Sequence, residues 1–373
     1  MNLFEHNLLR LLRVALGNEA PTSSLPNDVL WQEVFSSAVK QGVVNIAYDG
    51  LQLLLDAHPG ESFGFDTEEM ELFRYKWIGY GLSAENTYQR YVKTIEELAK
   101  LYHDNGFRMV LFKGYSLSRY YPIPSHRPIG DIDIAILDEE GKWCQRQADE
   151  LFQKKLGINV SKARNTHHSS FTFKGLKVEN HYEFSSLYRA GTKAKEFERV
   201  LQSVCCEGGV DSVEGNIIHA SPTFNALFLM WHLSSHFCGS FITIRQLCDY
   251  MLFLEKEYEK IDWTLVREVF KKYGLEHFAR VIDGILVHNL KAKRSIYDDG
   301  VTYPEMEERV LQDVFQAQEY KSRKDRLLRY PRFAWKYRLV RDSSWVDSLV
   351  SSIIIHMFHK DDLKLESFSG ISQ

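Results

Sequence analysis

The sequence predicts an α+β fold: a small mixed sheet flanked by N-terminal and C-terminal helical regions. Three observations carry this. Apolar residues recur at helical spacing through the first hundred positions. Strand-like runs are confined to about residues 107–184, and helical spacing returns after Ser221-Pro222. A chain of 373 residues is long for one domain, and the divisions fall at 1–105, 106–220 and 221–373.

In the first region, Leu8, Leu9, Leu12 and Leu16 mark one helix face, and Gly17-Asn18 supplies a stop. Asn27 is placed to cap a second helix running through Trp31, Val34 and Phe35 towards Gly42. A third begins near Asp66-Thr67-Glu68 and reaches Asp104, with a break expected near Gly79 to Gly81. Asn105-Gly106 ends it. In the middle region, Arg108 to Phe112 is a short apolar strand with Gly114 directly after it. Ile129 to Leu137 is a second strand, in which Ile132, Ile134 and Ile136 alternate against Asp131, Asp133 and Ala135. A helix over about 140–155 leads to strands at 169–173 and 176–184, joined by a turn at Lys174-Gly175. Beyond Pro222 the expected helices are 222–238, 242–259, 262–273, 275–289 and 304–328, with another near 343–359.

Composition excludes several classes. Hydrophobic residues make up 44% and charged residues 26%, so the chain is neither disordered nor fibrous. No run reaches the roughly 18 apolar residues of a membrane span, and Leu3 to Leu16, broken by charges, reads as an amphipathic helix rather than a signal peptide. Five cysteines without a Cys-x-x-Cys pair do not make a disulfide framework, and a reducing cytoplasm is the economical reading. A net charge of −4 argues against a general nucleic-acid binder, though not against a local basic patch.

The strongest chemical signal is Arg127-Pro128-Ile129-Gly130-Asp131-Ile132-Asp133-Ile134. Aspartates at i and i+2 on a strand share a face, and two like charges there are costly unless something positive lies between them. A hard divalent cation such as Mg²⁺ meets that need. The alternative is an exposed sheet face with two solvated aspartates. Upstream, a strand runs into Gly114 and a helix start, where backbone can approach a phosphate closely. Downstream, Glu179, His181 and Glu183 share one strand face, and a third carboxylate would complete a two-metal site.

These motifs resemble the nucleotidyltransferase fold of the polymerase-beta superfamily. More narrowly, Leu111-Phe112-Lys113-Gly114, Tyr120-Tyr121-Pro122, the Arg127 to Ile134 run and Val178-Glu179-Asn180-His181-Tyr182 are similar to a bacterial family known as uncharacterised nucleotidyltransferases. The similarity extends to His232-Leu233-Ser234-Ser235-His236 and to Ile244-Arg245-Gln246-Leu247-Cys248-Asp249, so it covers roughly residues 107–275. In better-known superfamily members Ser or Gly follows the glycine directly and the acid pair comes sooner; here Tyr115 intervenes. The resemblance implies two Mg²⁺ ions on Asp131, Asp133 and Glu179, with an NTP gripped through Gly114 and Ser116 and with Lys113, Arg119 and Arg127 as charge partners. Glu179 or Glu183 could instead take the acceptor's proton directly. The acceptor is unnamed, and its pocket is expected at His181, Glu183, His236, Arg245 and Asp249. A second reading is a catalytically inactive nucleotide-binding or regulatory protein of the same fold.

Other constellations have plainer readings. His232 and His236 at i and i+4 can chelate zinc, and with Asp249 could serve a metal-dependent hydrolase, but such pairs on apolar helices usually just pack. His167-His168 reads as surface. Lys321 to Arg341 holds nine basic residues against one acidic, interleaved with Tyr330, Phe333, Trp335 and Tyr337. It could contact RNA, an anionic acceptor or a membrane surface, yet a helix and linker whose aromatics anchor it to the core is favoured.

Overall fold

The computed structural model describes residues 1–22, 29–161, 167–185, 192–206, 210–211, 216–239, 241–316 and 334–341. Four helices come first: α1 (Leu3–Ala15), α2 (Trp31–Lys40), α3 (Val44–Ala57) and α4 (Glu68–His103). Asn2 and Glu5 close a capping box on α1, and Thr67 caps α4 through Met70 N, 3.3 Å away. α3 lies so close on α1 that a Cβ at Gly50 would meet the Leu11 carbonyl oxygen at 2.0 Å, so only glycine fits there. α4 runs unbroken through Gly79 and Gly81, against the expected break. Its C-terminal half is fastened by Tyr91, Ile95, Leu98 and Tyr102, which recur at helical spacing and are buried on the sheet.

The sheet comprises β1 (Phe107–Leu111), β2 (Ile132–Asp138), β3 (His168–Phe173), β4 (Leu176–His181), β5 (Val210–Asp211) and β6 (Ile217–His219). Among the described residues the spatial order is β3-β4-β2-β1-β6-β5. It is mixed: β2 pairs parallel with β4 and β1 parallel with β6, while the other pairs are antiparallel. Between these strands lie α5 (Gly114–Ser118), α6 (Gln145–Lys155) and α7 (Thr192–Val204). The C-terminal helices are α8 (Pro222–Gly239), α9 (Ile244–Glu257), α10 (Trp263–Lys272), α11 (Glu276–Asn289), α12 (Pro304–Phe315) and α13 (Ala334–Arg341). The expected cap Asn27, the expected extension of α12 beyond 316 and the helix near 343–359 lie outside the described residues.

Each sheet face has its own core. Ile132, Ile134 and Ile136 join Met109, Leu111 and Val178 under α4 and α6. Val110, Phe112, Ala135 and Leu137 face the opposite way, into a larger cluster that runs from Leu8 to Val340. The alternation along β2 therefore decides which residues reach the second face, and Asp133 is one of them. Two expected boundaries shift. β2 begins at Ile132, so Asp131 stands just before the strand rather than in it. β4 ends at His181 because Tyr182 N and Glu183 N both donate to His167 O, at 2.8 and 3.2 Å, in place of a ladder partner. The anchoring reading of the basic segment holds for its described part: Tyr337 is buried and donates to Cys238 O at 3.1 Å, and Trp335 packs edge-on against Phe237. No helix among the described residues is long and apolar enough to cross a membrane.

Candidate active site

The parallel pairing of β2 with β4 puts Asp133 directly opposite Glu179 on the same sheet face. Both are buried, at 3% and 9% exposure. Asp133 accepts from Lys113 Nζ at 3.0 Å and bonds His181 Nε2 at 2.9 Å. Glu179 is met by Lys177 Nζ at 2.9 Å and by His168 Nε2 at 3.4 Å. Asp131, one turn of the alternation earlier, makes no hydrogen bond or ion pair with a described residue. The sequence-predicted trio is thus brought together on one face.

Its electrostatics separate the two aspartates. Burial, and then the charges of Asp133 and Glu179, push the Asp131 carboxyl up to about 7. Burial would raise Asp133 too, but Lys113 and His181 outweigh it and hold that carboxyl far below its ordinary value. The result is one firmly ionised carboxylate beside one kept near neutrality by its neighbours. An oxygen donor set that repels itself in this way fits a hard divalent cation, which would relieve the repulsion.

Lys113 and Gly114 shape the approach. Lys113 takes φ +53°, a left-handed conformation rare for a residue with a side chain, and Gly114 follows at φ +29°. A Cβ on Gly114 would stand 3.2 Å from the Asp131 carbonyl oxygen, so glycine lets the turn sit against the acidic segment. Beside them opens a cleft of about 640 Å³ including the open solvent at its mouth. Lys113, Gly114, Asp131 and Asp133 form one wall; His232 on α8 and Arg245, Gln246 and Asp249 on α9 form the other.

The second wall is held by a buried clamp. Arg127 Nε and Nη2 donate to the two oxygens of Asp249 at 3.0 and 2.8 Å, and Tyr121 OH donates to the same carboxylate at 2.8 Å. Burial would raise the Asp249 carboxyl, but Arg127 overcomes this and holds it below the usual range. Arg127 and Arg245 also both donate to Pro128 O, at 2.9 and 3.1 Å, which fastens the chain just ahead of Asp131 to α9. Arg245 Nε is buried without a hydrogen-bond partner among the described residues.

The profile of the family described as uncharacterised nucleotidyltransferase matches residues 27–288. The chain belongs to that family. No curated protein and no solved structure matches the chain. The match begins in the N-terminal helices, well before the residues that carried the sequence resemblance, and takes in every residue of both cleft walls. Nucleotidyltransferases typically use a divalent metal, and the buried cluster of Asp133, Glu179 and His181 has the donors for one.

The cleft does not gather every residue proposed from sequence. Lys113, Gly114, Arg127, Asp131, Asp133, Arg245 and Asp249 all line it. Glu179 and His181 reach it only through Asp133. Ser116 is buried with its hydroxyl 3.0 Å from His219 Nδ1, Glu183 lies past the end of β4, and His236 packs against His232 with ring centroids 4.4 Å apart. Gly130 and Gln246, which stand inside the quoted motifs but were given no role, also line the cleft, as does Tyr250, which lies in no motif. Tyr121 stands in the Tyr120-Tyr121-Pro122 motif with no role assigned from sequence, because its partner Asp249 is 128 positions away. His167 and His168, read as surface, are half-buried against His181 instead, because the antiparallel pairing of β3 with β4 sets His168 opposite His181.

Proposed function

We propose that the chain transfers a nucleoside monophosphate from an NTP to a hydroxyl or phosphate acceptor, with Mg²⁺ held by Asp131, Asp133 and Glu179. The observation that carries this is Asp131, a carboxyl pushed up to about 7 by burial and two acidic neighbours and left without a partner among the described residues at a cleft wall. The acceptor oxygen attacks the α-phosphorus, the bond to the bridging oxygen breaks, and pyrophosphate leaves with the NTP's β- and γ-phosphates. A bound divalent cation would supply charge neutralisation on the phosphates and a lower pKa for the acceptor hydroxyl. The chain's own part is positioning. Lys113 is poised to exchange Asp133 for a phosphate oxygen once a cation takes over that carboxylate. Gly114 leaves room for phosphates beside the acidic segment, and Arg245, with an unused donor, supports an anionic acceptor on the α9 side.

The test is thermal shift with Mg²⁺ plus each of the four NTPs. Wild type is expected to be stabilised by at least one Mg²⁺–NTP pair, and Asp131→Asn by none. Absence of stabilisation by every pair in wild type, or equal stabilisation in Asp131→Asn, would defeat the proposal. Cleft division is checked separately: Arg245→Ala should impair acceptor use more than nucleotide binding.

A further inference from the structure

Glu179 does not line the cleft; it faces imidazoles. His168 and His181 are cross-strand partners on β3 and β4, with ring centroids 5.2 Å apart. Their Nε2 atoms lie 3.4 and 3.8 Å from the two carboxylate oxygens of Glu179. His167 completes the group, 4.8 Å from the His168 ring and 5.3 Å from the His181 ring. Its carbonyl is fixed to the end of β4 by Tyr182 N and Glu183 N. Ligand atoms of the three histidines all lie within 4.8 Å of one another. His181 is 1% exposed, and its Nδ1 has no hydrogen-bond partner among the described residues. Histidines that merely fill a core turn their nitrogens to carbonyls and hydroxyls. Here two of the three turn Nε2 to carboxylates, His168 to Glu179 at 3.4 Å and His181 to Asp133 at 2.9 Å, with Glu179 3.8 Å from the same His181 nitrogen.

We infer that His167, His168 and His181, together with Glu179, form a site for a borderline divalent transition metal such as Zn²⁺, next to the hard-cation position at Asp131 and Asp133. Imidazole nitrogen favours zinc-like ions, whereas an all-oxygen set favours Mg²⁺. Zinc–nitrogen bonds of about 2.0–2.1 Å would require the imidazoles to close in from their present separation. Three imidazoles and a carboxylate fill four positions, the closed set of a holding site rather than an open catalytic one. Such an ion would tie the edge strand β3 to β4 and fix Glu179 from behind. The inference shares Glu179 with the proposed catalytic metal position but does not require nucleotidyl transfer.

Chelator-treated full-length protein is titrated with Zn²⁺ alone and, separately, with Co²⁺. Wild type is expected to bind one Zn²⁺ at least ~100-fold more tightly than Mg²⁺, and its Co²⁺ form to show the visible bands of a tetrahedral, nitrogen-ligated ion. His168→Ala should lose both, while Asp131→Asn keeps Zn²⁺ binding and loses Mg²⁺–NTP stabilisation. The Co²⁺ spectrum of wild type needs no variant, so a misfolded His168→Ala would not blunt the test. Zn²⁺ binding no tighter than Mg²⁺, an octahedral Co²⁺ spectrum, or unchanged Zn²⁺ affinity in folded His168→Ala would overturn the site. Failure of nucleotide binding with the zinc result intact would count against the catalytic proposal only.

Discussion

Strand β4 borders a buried carboxylate site on each face of the sheet, and the two are built on opposite principles. On the α6 side, Asp149 is alone and fully enclosed. Its oxygens accept from Ser169 Oγ at 2.9 Å, Asn180 Nδ2 at 2.8 Å and Tyr182 OH at 2.8 Å. Ser169 and Asn180 are themselves cross-strand partners, so the carboxylate staples the edge of the sheet to a helix. On the other face Asp131, Asp133 and Glu179 crowd together, and Asp131 has no such donors. One cluster is satisfied and therefore structural. The other holds more negative charge than its neighbours answer, and that excess is what a cation can use.

Substitutions should separate the two clusters, beginning with the largest effect. Asp131→Asn should lower Mg²⁺-dependent turnover by about 10³-fold or more, since a metal position supplies several kcal/mol of transition-state stabilisation. Stability should hold or rise slightly, because a repelled charge is removed. Asp133→Asn would be a poorer probe, as it strands Lys113, whose Nζ is 3.0 Å away. A chemical denaturation curve beside a turnover assay checks both halves.

Asp249→Asn should cost about 3–5 kcal/mol of stability, the usual penalty for breaking a buried pair and leaving Arg127 uncompensated. This pair also fixes a pH signature. Arg127 depresses the folded-state pKa of Asp249 below its unfolded value. The pair's contribution is therefore complete above about pH 4 and is lost as pH falls through the folded value. Wild-type Tm should drop more steeply below about pH 4 than that of Asp249→Asn. Parallel acid limbs would contradict the clamp.

Asp149→Ala should cost about 3 kcal/mol, because three donors lose a charged acceptor, while leaving Mg²⁺–NTP binding of the folded fraction unchanged. Loss of nucleotide response in folded Asp149→Ala would erase the distinction between the faces. The smallest expected effect is that of Ser116→Ala. Its hydroxyl is committed to His219 and does not line the cleft, so nucleotide affinity should change by less than about 1 kcal/mol, the worth of one ordinary hydrogen bond. A tenfold loss measured by titration would return Ser116 to the phosphate cradle.

What could be read from sequence was what repeats locally. The period-two alternation of Ile132, Ile134 and Ile136 placed Asp133 on the face opposite the isoleucines, and the Glu179 strand supplied the third acid. Turn chemistry at Asn105-Gly106, and the cap at Asp262, also speak through neighbours a few residues away. β6 spans only three residues, too few for alternation to show, yet it pairs parallel with β1. α3 went unmarked despite an apolar stripe, and the glycines that suggested a break in α4 are tolerated because packing elsewhere along that helix decides its continuity. Partnerships across more than a hundred positions, Arg127 with Asp249 and Ser116 with His219, leave no local trace. They nonetheless determine which polar groups are spent on structure and which remain for chemistry.

The contrast between the two faces is tested most directly by calorimetric titration of Mg²⁺ with a non-hydrolysable NTP analogue into wild type, Asp131→Asn and Asp149→Asn, side by side with their melting temperatures. The expected pattern is crossed. Asp131→Asn loses cation-dependent nucleotide binding without losing stability, and Asp149→Asn loses stability but, while folded, binds as wild type does. Wild-type binding in Asp131→Asn, or lost binding in folded Asp149→Asn, would contradict the assignment of the crowded cluster to the metal.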